Sequence, residues 1–407
     1  MIVLVAAVSG VISLMIAPKL VVPVVVIELL LGIVIGPEVT GLAENDSATE
    51  FLGNIGLGML FFFAGYEIDF KRIRGQPLKL AAIGWAISLA LAYGIGGVLA
   101  AAGIVLSLLY TGSAMATTAI GTLIPILKDA GEMKTRFGTN LLGAGAMGEF
   151  GPILLITLVL STTHPLHEAL VLLAFIAAAV LVGVLAVRTA WQGWPALEKT
   201  IETSGQVAIR LAVLLVFGLV ALATDLGLDL LLGGFVAGLI TRATLRGREI
   251  AIFDSKLTAL GYGLLIPFFF VTSGMEFDID SLFASTGSIL KLPMFLALFL
   301  IVRGAPAMLL YRGVLDRRDR IALAVYSATQ LPLVVAITTI AVDGGQMSDS
   351  TASSLVGAAI VSALVFPLIG LALRRGRTGE GEGEGEGEGE GEGEGEGGAL
   401  ETEPAPA

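Results

Sequence analysis

The chain has 407 residues, 55% of them hydrophobic and only 14% charged, with mean hydropathy +0.90. Soluble proteins carry about 25% charged residues, so that class is excluded; the absence of cysteine excludes disulfides, thiol catalysis and cysteine metal sites. Two histidines, His164 and His167, are too few for a histidine-based metal enzyme. The net charge of -11 arises in residues 379–407, which hold 11 of the 35 acids and no Lys or Arg, so 24 acids balance 24 bases elsewhere. No basic patch for nucleic acid is present.

Apolar runs of about 20 residues span a bilayer as helices. Thirteen such segments are expected, at about 2–17, 20–36, 51–68, 78–100, 104–125, 137–160, 169–187, 207–224, 229–241, 257–276, 292–311, 321–341 and 352–373. The runs are continuous rather than alternating, which selects helices over a barrel. The first segment has no base before Lys19, so it is expected to be a retained span and not a signal peptide. The linkers after segments 1, 3, 5, 7, 9 and 11, with the C-terminal flank and the adjoining first residues of segments 4 and 8 (Lys79 and Arg210), hold 22 of 24 bases. One base, Lys291, is expected in the other linkers, and Arg303 lies inside a span. The positive-inside rule therefore puts the N-terminus outside and the C-terminus in the cytoplasm. Residues 379–397 are a strict Gly-Glu repeat, expected to be part of a disordered acidic tail over 376–407.

The chain repeats itself. Glu28-Leu29-Leu30-Leu31-Gly32 resembles Asp229-Leu230-Leu231-Leu232-Gly233. Phe61-Phe62-Phe63 with Gly65-Tyr66-Glu67-Ile68-Asp69 resembles Phe268-Phe269-Phe270 with Gly274-Met275-Glu276-Phe277-Asp278. Equivalent segments lie seven apart, so they must run antiparallel. The expected architecture is an all-α integral membrane protein with inverted halves, about 1–160 and 205–375, joined by segment 7. Such inverted repeats place a transport site at the midplane between the halves.

Charges at membrane depth mark function. Glu149 lies 13 residues beyond Arg136 and Arg303 lies 12 beyond Lys291; at 1.5 Å per residue each is roughly 20 Å deep. One reading is a buried ion pair that locks the bundle. The preferred reading is a functional acid, because Gly145, Gly148, Gly151 and Pro152 flank Glu149 and open its helix. Thr111 to Thr118 in segment 5, and Ser327-Ala328-Thr329-Gln330-Leu331-Pro332 in segment 12, are expected to unwind and offer oxygens and helix-dipole ends to an ion. They also suit tight helix packing. Glu28 is a third deep acid, read as a packing or dimer contact or as a snorkelling acid near Lys19, and as a second titrating acid only if it faces the cavity. Glu67, Asp69, Glu276 and Asp278 are expected at span ends, facing solvent or capping helices. Both histidines are expected in an outer loop.

These residues resemble a family. Gly36-Pro37, Gly65-Tyr66-Glu67-Ile68-Asp69 followed by Lys71-Arg72-Ile73-Arg74, and Phe270-Val271-Thr272-Ser273-Gly274-Met275 are similar to motifs of the monovalent cation:proton antiporters, in the branch of Kef-type and bacterial sodium/proton exchangers. The resemblance covers about residues 1–375. It implies two broken, crossing helices, a core and a dimerisation domain, and a homodimer. It maps the ion-binding carboxylate onto Glu149, the mirror-half base onto Arg303, and the crossing stretches onto Thr117-Thr118 and Thr329-Gln330. The carboxylate is usually Asp beside a polar or acidic neighbour; here it is Glu beside Gly148. The nucleotide-binding domain of Kef-type proteins is not in this sequence, so nucleotide or glutathione regulation is not expected.

The resulting expectation is a multi-pass cell-membrane antiporter exchanging Na+ or K+ for H+, with no cofactor and no enzymatic activity. A dehydrated carboxylate is neutralised by a proton or a small cation, which compete. With Glu149 as the one carrier, exchange is expected to be electroneutral. A sodium-coupled organic-solute symporter shares the architecture but needs a larger polar cavity. A channel needs a continuous pore.

Overall fold

The computed structural model describes residues 1–16, 23–68, 73–155, 165–191, 206–228, 230–245 and 248–375. The expected tail, Asp69, Lys71, Arg72, His164, Asp229 and Arg246 lie outside the described residues. Among those described, every regular element is helical. In chain order they are α1 (Ile2–Ile16), α2 (Val24–Ile35), α3 (Ser47–Tyr66), α4 (Gln76–Ala101), α5 (Leu108–Met115), α6 (Ile120–Asp129), α7 (Arg136–Leu155), α8 (Pro165–Trp191) and α9 (Val207–Asp225). There follow α10 (Leu230–Thr244), α11 (Arg248–Leu260), α12 (Ile266–Met275), α13 (Ile279–Phe283), α14 (Thr286–Leu310), α15 (Arg317–Ser327), α16 (Pro332–Asp343) and α17 (Asp349–Arg374). A π-helical turn, Gly261–Leu265, joins α11 to α12. Among the described residues, eight helical stretches are long and apolar enough to cross a membrane, and four shorter ones are apolar.

Within the described residues each expected segment falls on a helix or on a broken pair, and the expectations for Lys291 and His167 are corrected. Lys291 is not in a linker: α14 begins at Thr286, and Lys291 Nζ donates to Thr351 Oγ1 at 2.9 Å. Ser285 caps that helix by accepting from the Ser288 N–H at 3.1 Å, so its first turns are polar and an apolar run misses them. His167 lies in α8 rather than in a loop.

The helices form two groups. In one, α2 packs on α12 and α3 packs on α10. Glycines bring these backbones together: a side chain on Gly32 would strike the Val271 carbonyl, and one on Gly274 the Leu29 carbonyl. Gly65 meets the Phe235 carbonyl and Gly238 the Phe62 carbonyl in the same way. Small residues are what let membrane helices approach this closely. The pairing is reciprocal: segment 2 packs on segment 10, and its repeat partner, segment 9, packs on segment 3. In the second group, α4, α5 and α7 pack together, as do α14, α15 and α17. Phe150 of α7 stacks on Phe235 of α10 at 5.4 Å, bridging the two groups.

Candidate ion-binding site

Both predicted breaks form, and they cross. Helix α5 stops at Met115 and α6 resumes at Ile120; α15 stops at Ser327 and α16 resumes at Pro332. Pro332 explains the second break, since it lacks an N–H and disfavours helical backbone before it; Leu331 has φ -165°. At the first break, Thr117 and Thr118 carry hydroxyls that compete with the helix ladder. The two strands of broken chain bond directly. The Ala119 N–H donates to the Thr329 carbonyl at 2.8 Å, and Thr117 Oγ1 donates to Gln330 Oε1 at 3.0 Å. Gln330 Nε2 donates to the Met115 carbonyl at the end of α5 (3.0 Å), and the Ser362 hydroxyl bonds the Gln330 backbone.

Helix α7 supplies the acid. It continues through Pro152 rather than opening there. Proline at this position cannot donate to the carbonyl four residues back, that of Gly148. The Thr118 N–H takes that carbonyl at 3.0 Å, which ties the first break to α7. Glu149, 4% exposed, faces the start of α6, where the Gly121 N–H donates to Oε1 at 3.3 Å. Its Oε2 is buried with no hydrogen-bond partner, as are Thr329 Oγ1 and Ser327 Oγ. Buried polar atoms are nearly always satisfied, so unpartnered oxygens beside a break have free capacity to take a proton or a small cation. Tyr262, from the π turn in the other helix group, donates to the Gly121 carbonyl at 3.4 Å.

Arg303 is also buried, and it makes no ion pair with Glu149. Its Nε donates to Thr118 Oγ1 at 2.9 Å, Nη1 to Ser88 Oγ at 3.2 Å and Nη2 to the Ala144 carbonyl at 3.1 Å. Nε also lies 3.4 Å from the Ser327 carbonyl, the last of α15. The two charges therefore meet opposite helix ends. Glu149 sits at the positive start of α6 and Arg303 at the negative end of α15, an arrangement that tolerates each without the other. Gly148 makes room for this: a Cβ there would lie 2.7 Å from both Arg303 Nη2 and Thr118 Oγ1.

The structure thus gathers Glu149, Thr117, Thr118, Thr329, Gln330 and Arg303 at one crossing. Glu28 does not join them; it is buried between α1 and α2, where Ser9 Oγ lies 3.5 Å from Oε1. Asp278 caps α13 through the Ser281 N–H at 2.7 Å, and Glu276 stands exposed at the end of α12. Glu67 is half-buried rather than a fully solvated end: its Oε2 is covered and has no partner. Gly121 and Ser88 were not foreseen, because a glycine N–H and a lone serine carry no distinguishing pattern.

The family model for the transmembrane sodium/hydrogen exchangers matches residues 3–372. The chain belongs to the sodium/hydrogen exchanger family. Among relatives, YjbQ of Bacillus subtilis is 26% identical over 369 residues, covering 86% of this chain and 59% of YjbQ. The Na(+)/H(+)-K(+) antiporter GerN of Bacillus cereus is 27% identical over 275 residues, 64% of this chain and 67% of GerN. The chain thus spans well under the full length of several exchanger relatives. The sodium proton antiporter MjNhaP1 of Methanocaldococcus jannaschii shares the exchanger fold, with TM-score 0.63, 20% identity, and 92% of this chain and 94% of that one covered.

Proposed function

We propose that this exchanger-family chain is a secondary transporter that exchanges a monovalent cation, Na+ or K+, for protons across a cell membrane by alternating access. The observation that carries this reading is Glu149, buried where the two helix breaks cross, with one oxygen held by Gly121 and the other unpartnered. A proton or a bare cation neutralises this carboxylate, and the site holds one at a time. Thr117, Thr118, Thr329 and Gln330 supply neighbouring oxygens, and Arg303 is a fixed counter-charge. The names of GerN and MjNhaP1 support exchange over solute symport. The test is cation-dependent collapse of a pH gradient in proteoliposomes. Wild type collapses it and Glu149→Gln, still folded, does not; Glu149→Asp retains part of the rate. Wild-type exchange by Glu149→Gln sinks the assignment.

The reading extends to organisation. Residues 1–375 form the transport body, its inverted halves about 1–160 and 205–375, working as a homodimer with the N-terminus outside and the C-terminus in the cytoplasm. The chain has no cysteine, so single cysteines report sidedness without background. A membrane-impermeant maleimide on whole cells labels Glu44→Cys and Gln346→Cys but not Lys134→Cys. The reverse pattern overturns the orientation, and a native mass of one chain overturns the dimer.

A further inference from the structure

Two acids outside the crossing are related by the internal repeat. Glu67 follows Gly65-Tyr66 at the end of α3, and Glu276 follows Gly274-Met275 at the end of α12. Among the described residues, Glu67 lines one cavity and Glu276 lines two, with no cavity shared between the acids. Glu67 lines a small cavity of about 90 Å³ with Ile73, Ile120, Ile124, Met133 and Arg242. Glu276 lines a larger one of about 190 Å³ with Glu50, Asn54, Thr272, Val335 and Thr339, and another of about 200 Å³ that shares Val335 and Thr339 and adds Asp278 and Asp343. The correspondence extends to the walls. Ile120 and Ile124 belong to α6, which resumes after the first break, whereas Val335 and Thr339 belong to α16, which resumes after the second. Each acid therefore faces the second half of a broken helix, on its own side of the crossing.

The cavity at Glu67 abuts the ion site, because Ile120 immediately precedes Gly121, whose N–H holds Glu149. The two acids differ in exposure. Glu276 is open to solvent and accepts from Asn45 Nδ2, whereas Glu67 Oε2 is sealed and has no partner. Lys128, Arg242 and Asp254 are the other charged groups that act on Glu67, with Glu149 itself. A repeat-related pair with one member exposed and the other half-buried fits a transporter more open on one side than on the other.

We propose that Glu67 and Glu276 are the two entrance sites of the transporter, each taking the partly hydrated monovalent cation on its own face before it reaches Glu149. This rests on the exchange reading above. An exposed carboxylate raises the local cation concentration at a cleft mouth. A half-buried carboxylate with one covered, unpartnered oxygen marks the more closed entrance in this conformation. The acid at each mouth sets affinity on that face alone, because the helix groups close one cavity when they open the other.

The test uses inside-out and right-side-out vesicles carrying the full chain, with Na+ varied on one face at a time. Glu67→Gln raises the apparent KM for Na+ about ten-fold on the face bearing the α3 end and leaves KM on the opposite face as in wild type. Glu276→Gln does the reverse. Equal KM changes on both faces, or none on either, overturn the entrance assignment while wild-type exchange leaves the transport reading standing. A wild type that does not exchange overturns both. Should Glu67→Gln fail to fold, Glu67→Asp is read in the same way, since it withdraws the carboxylate by one methylene: a one-sided rise supports the proposal and a two-sided rise overturns it.

Discussion

Arg303 and Thr118 form the joint that holds the two helix breaks together: Arg303 Nε donates to Thr118 Oγ1 at 2.9 Å, and the same hydroxyl donates onward to the Ser327 carbonyl at 2.6 Å. One hydroxyl thus satisfies a buried cation and an orphan carbonyl at the end of α15. A helix leaves its last carbonyls without intrahelical donors, and a half-helix ending inside the protein must find them elsewhere. Here the donors are Thr118 and Arg303 from opposite halves of the chain. This also explains how Arg303 is buried without a carboxylate partner, since backbone carbonyls and hydroxyls take its N–H groups.

Thr118→Val tests the joint. It keeps the shape and removes both hydrogen bonds. Leaving a buried donor and acceptor unpaired costs about 1–3 kcal/mol, more when one is charged. Thermal unfolding of the detergent-solubilised protein should show a clear loss of stability, with Thr118→Ser close to wild type. A Thr118→Val protein as stable as Thr118→Ser would refute the role.

Gly148 tests the packing beneath. Its missing side chain leaves the space that Arg303 Nη2 and Thr118 occupy. Gly148→Ala forces one of them aside, and overpacking of this kind costs about 1–3 kcal/mol. Stability and exchange rate should fall together, because the displaced guanidinium also loses Ala144 and Ser88. Unchanged unfolding and unchanged transport in Gly148→Ala count against the geometry.

At the end of α17 lies a second buried cation. Arg374 forms a two-pronged ion pair with Glu132, both bonds 2.8 Å, and a third bond to Asp319 Oδ1 at 2.6 Å. Its guanidinium also lies 4.5 Å from the Phe137 ring centroid. Glu132 is 1% exposed and Arg374 7%. Removing one partner of such a pair strands the other and costs about 3–5 kcal/mol. Arg374→Ala should therefore destabilise strongly, and Glu132→Gln in the Arg374→Ala background should recover part of the loss. Additive effects in that double-mutant cycle would show that the pair is uncoupled.

The Arg374–Glu132 pair was invisible in the sequence, because it joins residues 242 positions apart and Glu132 reads as an ordinary loop acid. Long apolar runs, by contrast, are local signals, so the helices were legible from composition. The two breaks were legible as well, since Pro332 and the Thr117-Thr118 pair act on their own backbone. The start of α14 was not, because Ser285 capping carries the helix into a polar stretch that looks like a linker. Glu67 reads as a solvated end for a related reason: the end of an apolar run resembles one, and only the packing of α6 and α10 against it half-buries the carboxylate. The juxtaposition of Glu149 with the breaks was readable from depth and flanking glycines. That Arg303 serves the end of α15 instead of pairing with Glu149 was not.

Coupling follows from which groups can change charge. Arginine does not release its proton in proteins, so Arg303 is a constant positive charge through the cycle. Lysine at that position would differ, since a buried lysine can release its proton when a cation arrives. The neighbour of Glu149 is Gly148, which offers no second carboxylate, and Arg303 and Thr118 fill the space one would need. Glu28 is held against Ser9 between α1 and α2, apart from the crossing. One titrating group therefore remains at the site, and it carries either one cation or one proton. The expected stoichiometry is one for one, with no net charge moved. The measurement is Na+/H+ exchange in proteoliposomes with the membrane potential clamped at several values by valinomycin and K+. Rate and end-point should be the same at every potential. If either follows the imposed potential, a second group carries charge, and Glu67→Gln and Glu28→Gln tested in the same assay identify it by abolishing the dependence.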